Sequence, residues 1–293
     1  MPMDSDWMVW HTNPRQPRYT PPAGAVDAHC HIFGPEEIFP YSPQRKYTPC
    51  TGSKNDLFAL RDTLGFSRNV IVQASCHGTD NSALIDGLTT AGDKARGIAV
   101  VDDTISTEAL QTMHTAGIRG VRFNFVRRLV DPKPYDYYER IVEKIVPLGW
   151  HIIVYIEAAD FADQIPFLQT LPLTIVFDHM ARPNVVKGID HTDFKQFVDL
   201  MHNDKYWTKV SCPERLTKQA GNHTNYSDVL PYMKTLVDTF PDRVLWGTDW
   251  PHPNMKSHMP DDGQLVELIP LIADTPEKQQ KLLVDNPMRL YWP

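Results

Sequence analysis

Eight runs of β-branched and apolar residues alternate with helix-like segments, and this alternation constrains the chain more than any single residue. The runs are AVDAHCHI (25–32), RNVIVQAS (68–75), RGIAVVD (96–102), IRGVRFNF (118–125), WHIIVYIEA (150–158), LTIVFDHM (173–180), YWTKVSCP (206–213) and RVLWGTDW (243–250). Between most of them lie segments such as NDLFALRDTLG, DNSALIDGLTTAG and YDYYERIVEKIV. Several of these end in glycine, which stops a helix because it turns left-handed with no Cβ to clash. Parallel strands need long crossovers, and eight strand–helix units in 293 residues suit one closed α/β barrel, the (β/α)8 or TIM barrel. The expected organisation is a short extension over 1–20 and a single barrel domain over 21–293. A Pro-, Gly- and Ser-rich stretch, 34–55, reads as a long loop after the first strand, and long loops often cover a site. Thr275 and Pro276 read as the cap and first residue of a closing helix. An open doubly wound sheet is the competing arrangement. Without a G-x-G-x-x-G or P-loop, its nucleotide-binding version has little support.

A net charge of −7 argues against a general nucleic-acid or anionic-membrane binder, so any anion must be held by local positive charge. No stretch has 18 successive apolar residues, and the first residues lack a basic region followed by an apolar run. The expectation is a cytoplasmic protein with no membrane and no nucleic-acid partner. Cys30, Cys50, Cys76 and Cys212 form no C-x-x-C pair and read as reduced packing residues.

In a barrel of this kind chemistry collects at the C-terminal ends of the strands, and polar residues fall there on most strands. His29 and His31 close the first run, one residue apart and therefore on one face. Ser75 and His77 follow the second, Arg122 and Asn124 end the fourth, Tyr155 and Glu157 the fifth, Asp178 and His179 the sixth, and Asp249 the eighth; the seventh leads into Glu214 and Arg215. Each has a plain structural explanation: a satisfied rim histidine, an ion-paired strand arginine, a solvated loop for Arg127 and Arg128, a turn cap for Asp249. Those explanations would all have to hold at once, on matching ends of different strands. Buried polar groups cost roughly 1 to 3 kcal/mol each unless paired, so the set implies a site.

The H-C-H of the first strand, the histidine of the sixth and the aspartate of the eighth resemble the amidohydrolase superfamily, and NPMRLYWP is similar to the end of its single-domain branch. The likeness runs from about residue 17 onward through DAHCHIFGP, NVIVQASCHGTDN, RFNFVRRLVD, FDHMARP and WGTDWPHPNM. It implies a hydrolase that opens, reversibly, the lactone ring of 2-pyrone-4,6-dicarboxylate to an oxalomesaconate-type tricarboxylate, in the catabolism of lignin-derived aromatics through protocatechuate. By the same resemblance His29, His31 and His179 would donate to the lactone carbonyl and Asp249 would take a proton from water. Arg122, Arg128 and Arg215 would hold the two carboxylates, with Tyr47, Ser75, Tyr155 and Asn254 as further hydrogen-bonding partners and His77, His252 and Glu157 in support.

Metal-dependent members of the superfamily add a carboxylated lysine or glutamate on strand four and a histidine on strand five, where this chain has Arg122, Asn124 and Tyr155. A nearby guanidinium disfavours a divalent cation, and an enol leaving group needs little carbonyl activation. The expectation is therefore no cofactor. A zinc site of His29, His31 and Asp249 stays open as a chemically acceptable alternative. The other readings are a metal-dependent hydrolase or decarboxylase, a lactonase for another acidic lactone such as a muconolactone derivative, and a barrel that only binds small dianions.

Overall fold

The computed structural model describes residues 4, 7–219 and 225–293. Residues 1–3, 5 and 6 of the expected extension lie outside the described residues. Eight strands, β1 (Val26–Cys30), β2 (Arg68–Val72), β3 (Ala95–Ala99), β4 (Ile118–Asn124), β5 (His151–Tyr155), β6 (Ile175–Phe177), β7 (Tyr206–Lys209) and β8 (Val244–Leu245), pair in sequential order, each parallel to the next. The ring closes from β8 back to β1 through short backbone contacts: Ala28 N–H donates to the Trp246 carbonyl at 2.9 Å, Asp249 N–H to that of His29 at 2.8 Å, and His31 N–H to that of Trp250 at 2.8 Å. That approach needs a residue without a side chain. A Cβ on Gly247 would lie 2.4 Å from the His29 nitrogen.

Helices wrap the outside in the order the alternation predicts. α1 (Lys54–Leu64) starts at Ser53, whose hydroxyl caps the Asp56 amide while the Asp56 carboxylate accepts from the Ser53 amide, and it ends at Gly65 with φ 82°. This strong cap shortens the expected 34–55 loop to residue 53. The loop is pinned by a two-way bridge between Phe33 and Gly52. The closing helical run does begin at Thr275 and Pro276. Trp10 of the extension packs edge-on against Trp250, 4.9 Å between ring centroids, so that segment lies on the barrel. No described helix is long and apolar enough to cross a membrane, and all four cysteines are free.

Inside the ring, residues from alternate positions stack in layers. Val26, Ala28, Val70, Val72, Ile98, Ile153, Val176 and Leu245 form an apolar plug, floored by Trp207 and by Tyr291 of the last helix. Residues of the opposite parity, such as Val121, Phe123, Ile152 and Val154, face outward into the larger core under the helices. In β1 three steps, Asp27 to Cys30, match two in β2, Asn69 to Ile71. This bulge lets Ala28 sit in the plug while His29 and His31, just above, also point inward.

Candidate active site

Directly above the apolar plug lies a buried polar layer centred on Asp249, 2% exposed. Asp249 follows β8 with φ 66°, left-handed, and its amide bond to the His29 carbonyl holds it over β1. Its Oδ1 faces three imidazoles: His31 Nε2 at 3.1 Å, His29 Nε2 at 3.3 Å and His179 Nε2 at 3.7 Å. Its Oδ2 accepts two bonds from the Arg215 guanidinium, from Nε at 2.9 Å and Nη2 at 2.7 Å. Burial alone would push this carboxyl up; the Arg215 guanidinium outweighs it and holds the group well below the usual carboxylate range.

A second carboxylate, Asp178, sits fully buried beside it. Asp178 Oδ2 accepts from Arg122 Nε at 3.0 Å and Nη2 at 2.9 Å, while Oδ1 lies 3.1 Å from His29 Nδ1 and 3.3 Å from Lys209 Nζ. Burial again opposes the charge, but Lys209, His29 and Arg122 hold Asp178 well below its ordinary value. Lys209 is fully buried and its Nζ is 2.8 Å from His29 Nδ1. It was not among the residues expected from sequence. The available signal was a lysine alternating with Trp207 and Ser211 on the inner face of an otherwise apolar parallel strand, where an unpaired charge is very rarely tolerated.

The strand-six end is built under strain. His179, Met180, Ala181 and Arg182 all have φ between 52° and 59°, a left-handed turn that costs side-chain-bearing residues roughly 1 to 2 kcal/mol each. Among the described residues, eight of the nine non-glycine residues with positive φ fall just after β6, β7 and β8. The turn aims His179 at Asp249 and swings Arg182 onto Tyr155, whose hydroxyl accepts from Arg182 Nη1 at 2.8 Å. The Tyr155 ring also lies 4.7 Å from the Arg122 guanidinium carbon. Arg182 is a second site residue missed in sequence, and FDHMARP, the stretch that carries it, was the signal.

These groups surround a narrow cleft lined by His31, His179, Asp249, Arg122 and Arg215, with Tyr47, Ser75, Tyr155 and Asn254 on its walls. His29 lies beneath it. Arg128 is not on its wall: the side chain stands half-exposed at the rim, where Glu157 Oε1 accepts from its Nε and Nη2 at 3.3 Å each. His77 holds the long loop, accepting from the Gly34 amide at 3.4 Å and contacting the Pro40 carbonyl at 3.2 Å. His252 is clamped between Asp262 Oδ1 at 3.0 Å and Glu214 Oε1 at 3.4 Å. A larger pocket adjoins the cleft over β2 to β4 and shares Ser75 and Arg122, but no histidine lines it.

Hydrogen-bond partners decide what each imidazole can do. His31 Nδ1 lies 2.7 Å from the Val72 carbonyl and so carries the proton. Burial pushes its pKa down to about 4, which leaves Nε2 of the neutral ring as an acceptor. His29 Nδ1 faces both an ammonium, Lys209 Nζ at 2.8 Å, and a carboxylate oxygen, Asp178 Oδ1 at 3.1 Å. This bears on the superfamily metal. His29, His31 and Asp249 present atoms within 4.8 Å of one another, a spacing that would suit a tetrahedral ion. A ligand histidine must offer a lone pair, which His29 protonated at Nε2 would lack. Arg122, Lys209 and Arg215 outnumber Asp178 and Asp249 here, a charge balance that disfavours a divalent cation.

Residues 26–292 match the amidohydrolase family. A 2-pyrone-4,6-dicarboxylate hydrolase of Comamonas testosteroni is 56% identical over 293 residues, covering 98% of this chain and 96% of the relative. A 4-sulfomuconolactone hydrolase of Hydrogenophaga intermedia is 34% identical over 289 residues, covering 96% and 92%. Among solved structures, an apo protein of Agrobacterium tumefaciens superposes with a TM-score of 0.83 at 25% identity, covering 94% of this chain and 98% of that one.

Proposed function

The chain belongs to the amidohydrolase family, and from that premise we propose that it hydrolyses the lactone of 2-pyrone-4,6-dicarboxylate, with Asp249 as the base and no metal in the reaction. The observation that carries the reading is one carboxylate oxygen, Asp249 Oδ1, ringed by three imidazoles in a cleft that also presents two guanidinium groups. The Comamonas relative, 56% identical along nearly the whole chain, supports the substrate.

Water adds its oxygen to the lactone carbonyl carbon and gives up a proton to Asp249 Oδ1, beside the acceptor nitrogen of His31. Charge collects on the carbonyl oxygen, where the Nε2–H of His29 and the His179 ring donate; one such donor contributes roughly 3 to 4 kcal/mol in other hydrolases. The ring C–O bond then breaks, and the enol oxygen leaves with the proton returned from Asp249. A weak base suffices because an enolate leaves far more readily than an alkoxide. Arg122 and Arg215 face the substrate carboxylates, whose planar geometry suits a guanidinium fork. As Arg215 turns part of its charge to the substrate, Asp249 is relieved of its strongest partner and becomes more basic when the base is needed.

Chelator-treated enzyme added to 2-pyrone-4,6-dicarboxylate should bleach the pyrone absorbance. No bleaching of the dicarboxylate, together with turnover of a muconolactone-type acid, would transfer the mechanism to that other class of lactone.

A further inference from the structure

We propose that Lys209 sets the tautomer of His29 and thereby turns that ring into a hydrogen-bond donor toward the cleft. Two groups compete for His29 Nδ1. The Asp178 carboxylate at 3.1 Å accepts only, and on its own it would draw the ring proton to Nδ1. That tautomer leaves a lone pair on Nε2, the form suited to a metal ligand. The Lys209 ammonium donates only, and it is closer, at 2.8 Å. Asp178 Oδ2 is meanwhile taken by two bonds from Arg122, and Oδ1 has the Lys209 ammonium as an ion-pair partner at 3.3 Å. Nδ1 therefore accepts, and the one proton of the neutral ring sits on Nε2, 3.3 Å from Asp249 Oδ1 and beneath the cleft.

Lys209 is fully buried and does not line the cleft, so it acts through His29 as a positioning residue. The inference rests on the reading that His29 donates to the carbonyl oxygen. It also accounts for a lysine that the reaction itself does not use: a cation placed where it reverses the tautomer that Asp178 would select.

The test is two-bond proton–nitrogen NMR of the full chain labelled with 15N-histidine, the His29 signals being those lost in His29→Gln. The wild-type ring is expected as the Nε2–H tautomer at neutral pH, moving toward Nδ1–H in Lys209→Met, with kcat down ~100-fold, the loss of about one oxyanion donor, and KM nearly unchanged. An Nδ1–H ring in the wild-type enzyme overturns the proposal, as does a ring unaltered by Lys209→Met. Should that variant not fold, the wild-type spectrum decides alone. A tautomer that moves with kcat unchanged upholds Lys209 in its role and removes instead the donor role given to His29.

Discussion

Asp249 and His29 are joined twice: the Asp249 amide donates to the His29 carbonyl at 2.8 Å, and Asp249 Oδ1 lies 3.3 Å from His29 Nε2. The first contact belongs to the seam that closes the barrel between β8 and β1; the second belongs to the proposed reaction. Closure of the fold and assembly of the site are one event, and a change at the seam is felt in both.

Gly247→Ala is the cleanest probe of that seam, because the added Cβ would meet His29 backbone at 2.4 Å. Overpacking against main chain is expected to cost about 3 kcal/mol or more and to lower Tm by ~6 °C or more. Turnover should fall with it as Asp249 shifts off His29. Thermal unfolding followed by circular dichroism, with kcat measured on the folded fraction, checks both; a wild-type Tm would show that β8 and β1 can part without penalty.

Asp249→Asn should lower kcat by ~10²- to 10⁴-fold, the usual span for a lost general base. Binding should persist or tighten, since Arg215 loses the carboxylate that occupies it in the free enzyme. Calorimetric titration with 2-pyrone-4,6-dicarboxylate separates the two effects. Near-normal turnover by the variant would remove Asp249 from the mechanism.

Arg215→Met is expected to raise KM for the dicarboxylate ~10- to 100-fold, the equivalent of 1.5 to 3 kcal/mol for a hydrogen bond to a charged group. A pyrone with a single carboxylate should be affected far less. Steady-state kinetics on the two compounds side by side provides the comparison, and equal losses on both would contradict carboxylate binding by this residue.

Removing metal should change little. After exhaustive chelation kcat is expected to stay within about twofold, because in the proposed tautomer the His29 atom that faces Asp249 carries a proton that a metal ligand cannot keep. Elemental analysis of the active preparation completes the measurement; activity that vanishes on chelation and returns with zinc would reverse the conclusion.

His252 predicts a pH dependence of stability. Burial would lower its pKa, but Asp262 and Glu214 raise it to about 10, from an unfolded value of 6.5. A group whose folded pKa is raised contributes fully below the unfolded value and loses that contribution as pH climbs through the folded one. Stability should therefore decline between about pH 6.5 and 10. The decline should be shallower in His252→Gln, which should also be less stable at pH 6.5 because two carboxylates lose their cation. Tm recorded across this range in both proteins is the check.

The architecture was legible in sequence because parallel strands buried on both faces are near-continuous apolar runs, and all eight were visible. Their ends were not. LTIVFDHM keeps only Ile175–Phe177 as strand, since the next residues turn left-handed to aim His179. RVLWGTDW keeps only Val244–Leu245, since Gly247 and Asp249 bend over β1. Both strands break where the chemistry begins. Lys209 was overlooked for the opposite reason: it sits inside the regular part of β7, where its partners, His29 and Asp178, come from strands 180 and 31 positions away. Arg128, given a substrate carboxylate by resemblance, stands at the rim beside Glu157, a pairing that only tertiary packing shows.

Among the described residues, the apolar plug under the polar layer closes the lower end of the barrel. Its fully buried aliphatic side chains and the Tyr291 floor offer water no route from below, so the molecule consumed in each cycle must come through the same doorway as the ring it attacks. Entry of the lactone, delivery of the nucleophile and departure of the opened acid are then traffic through one gate, and widening that gate by mutation should alter all three together.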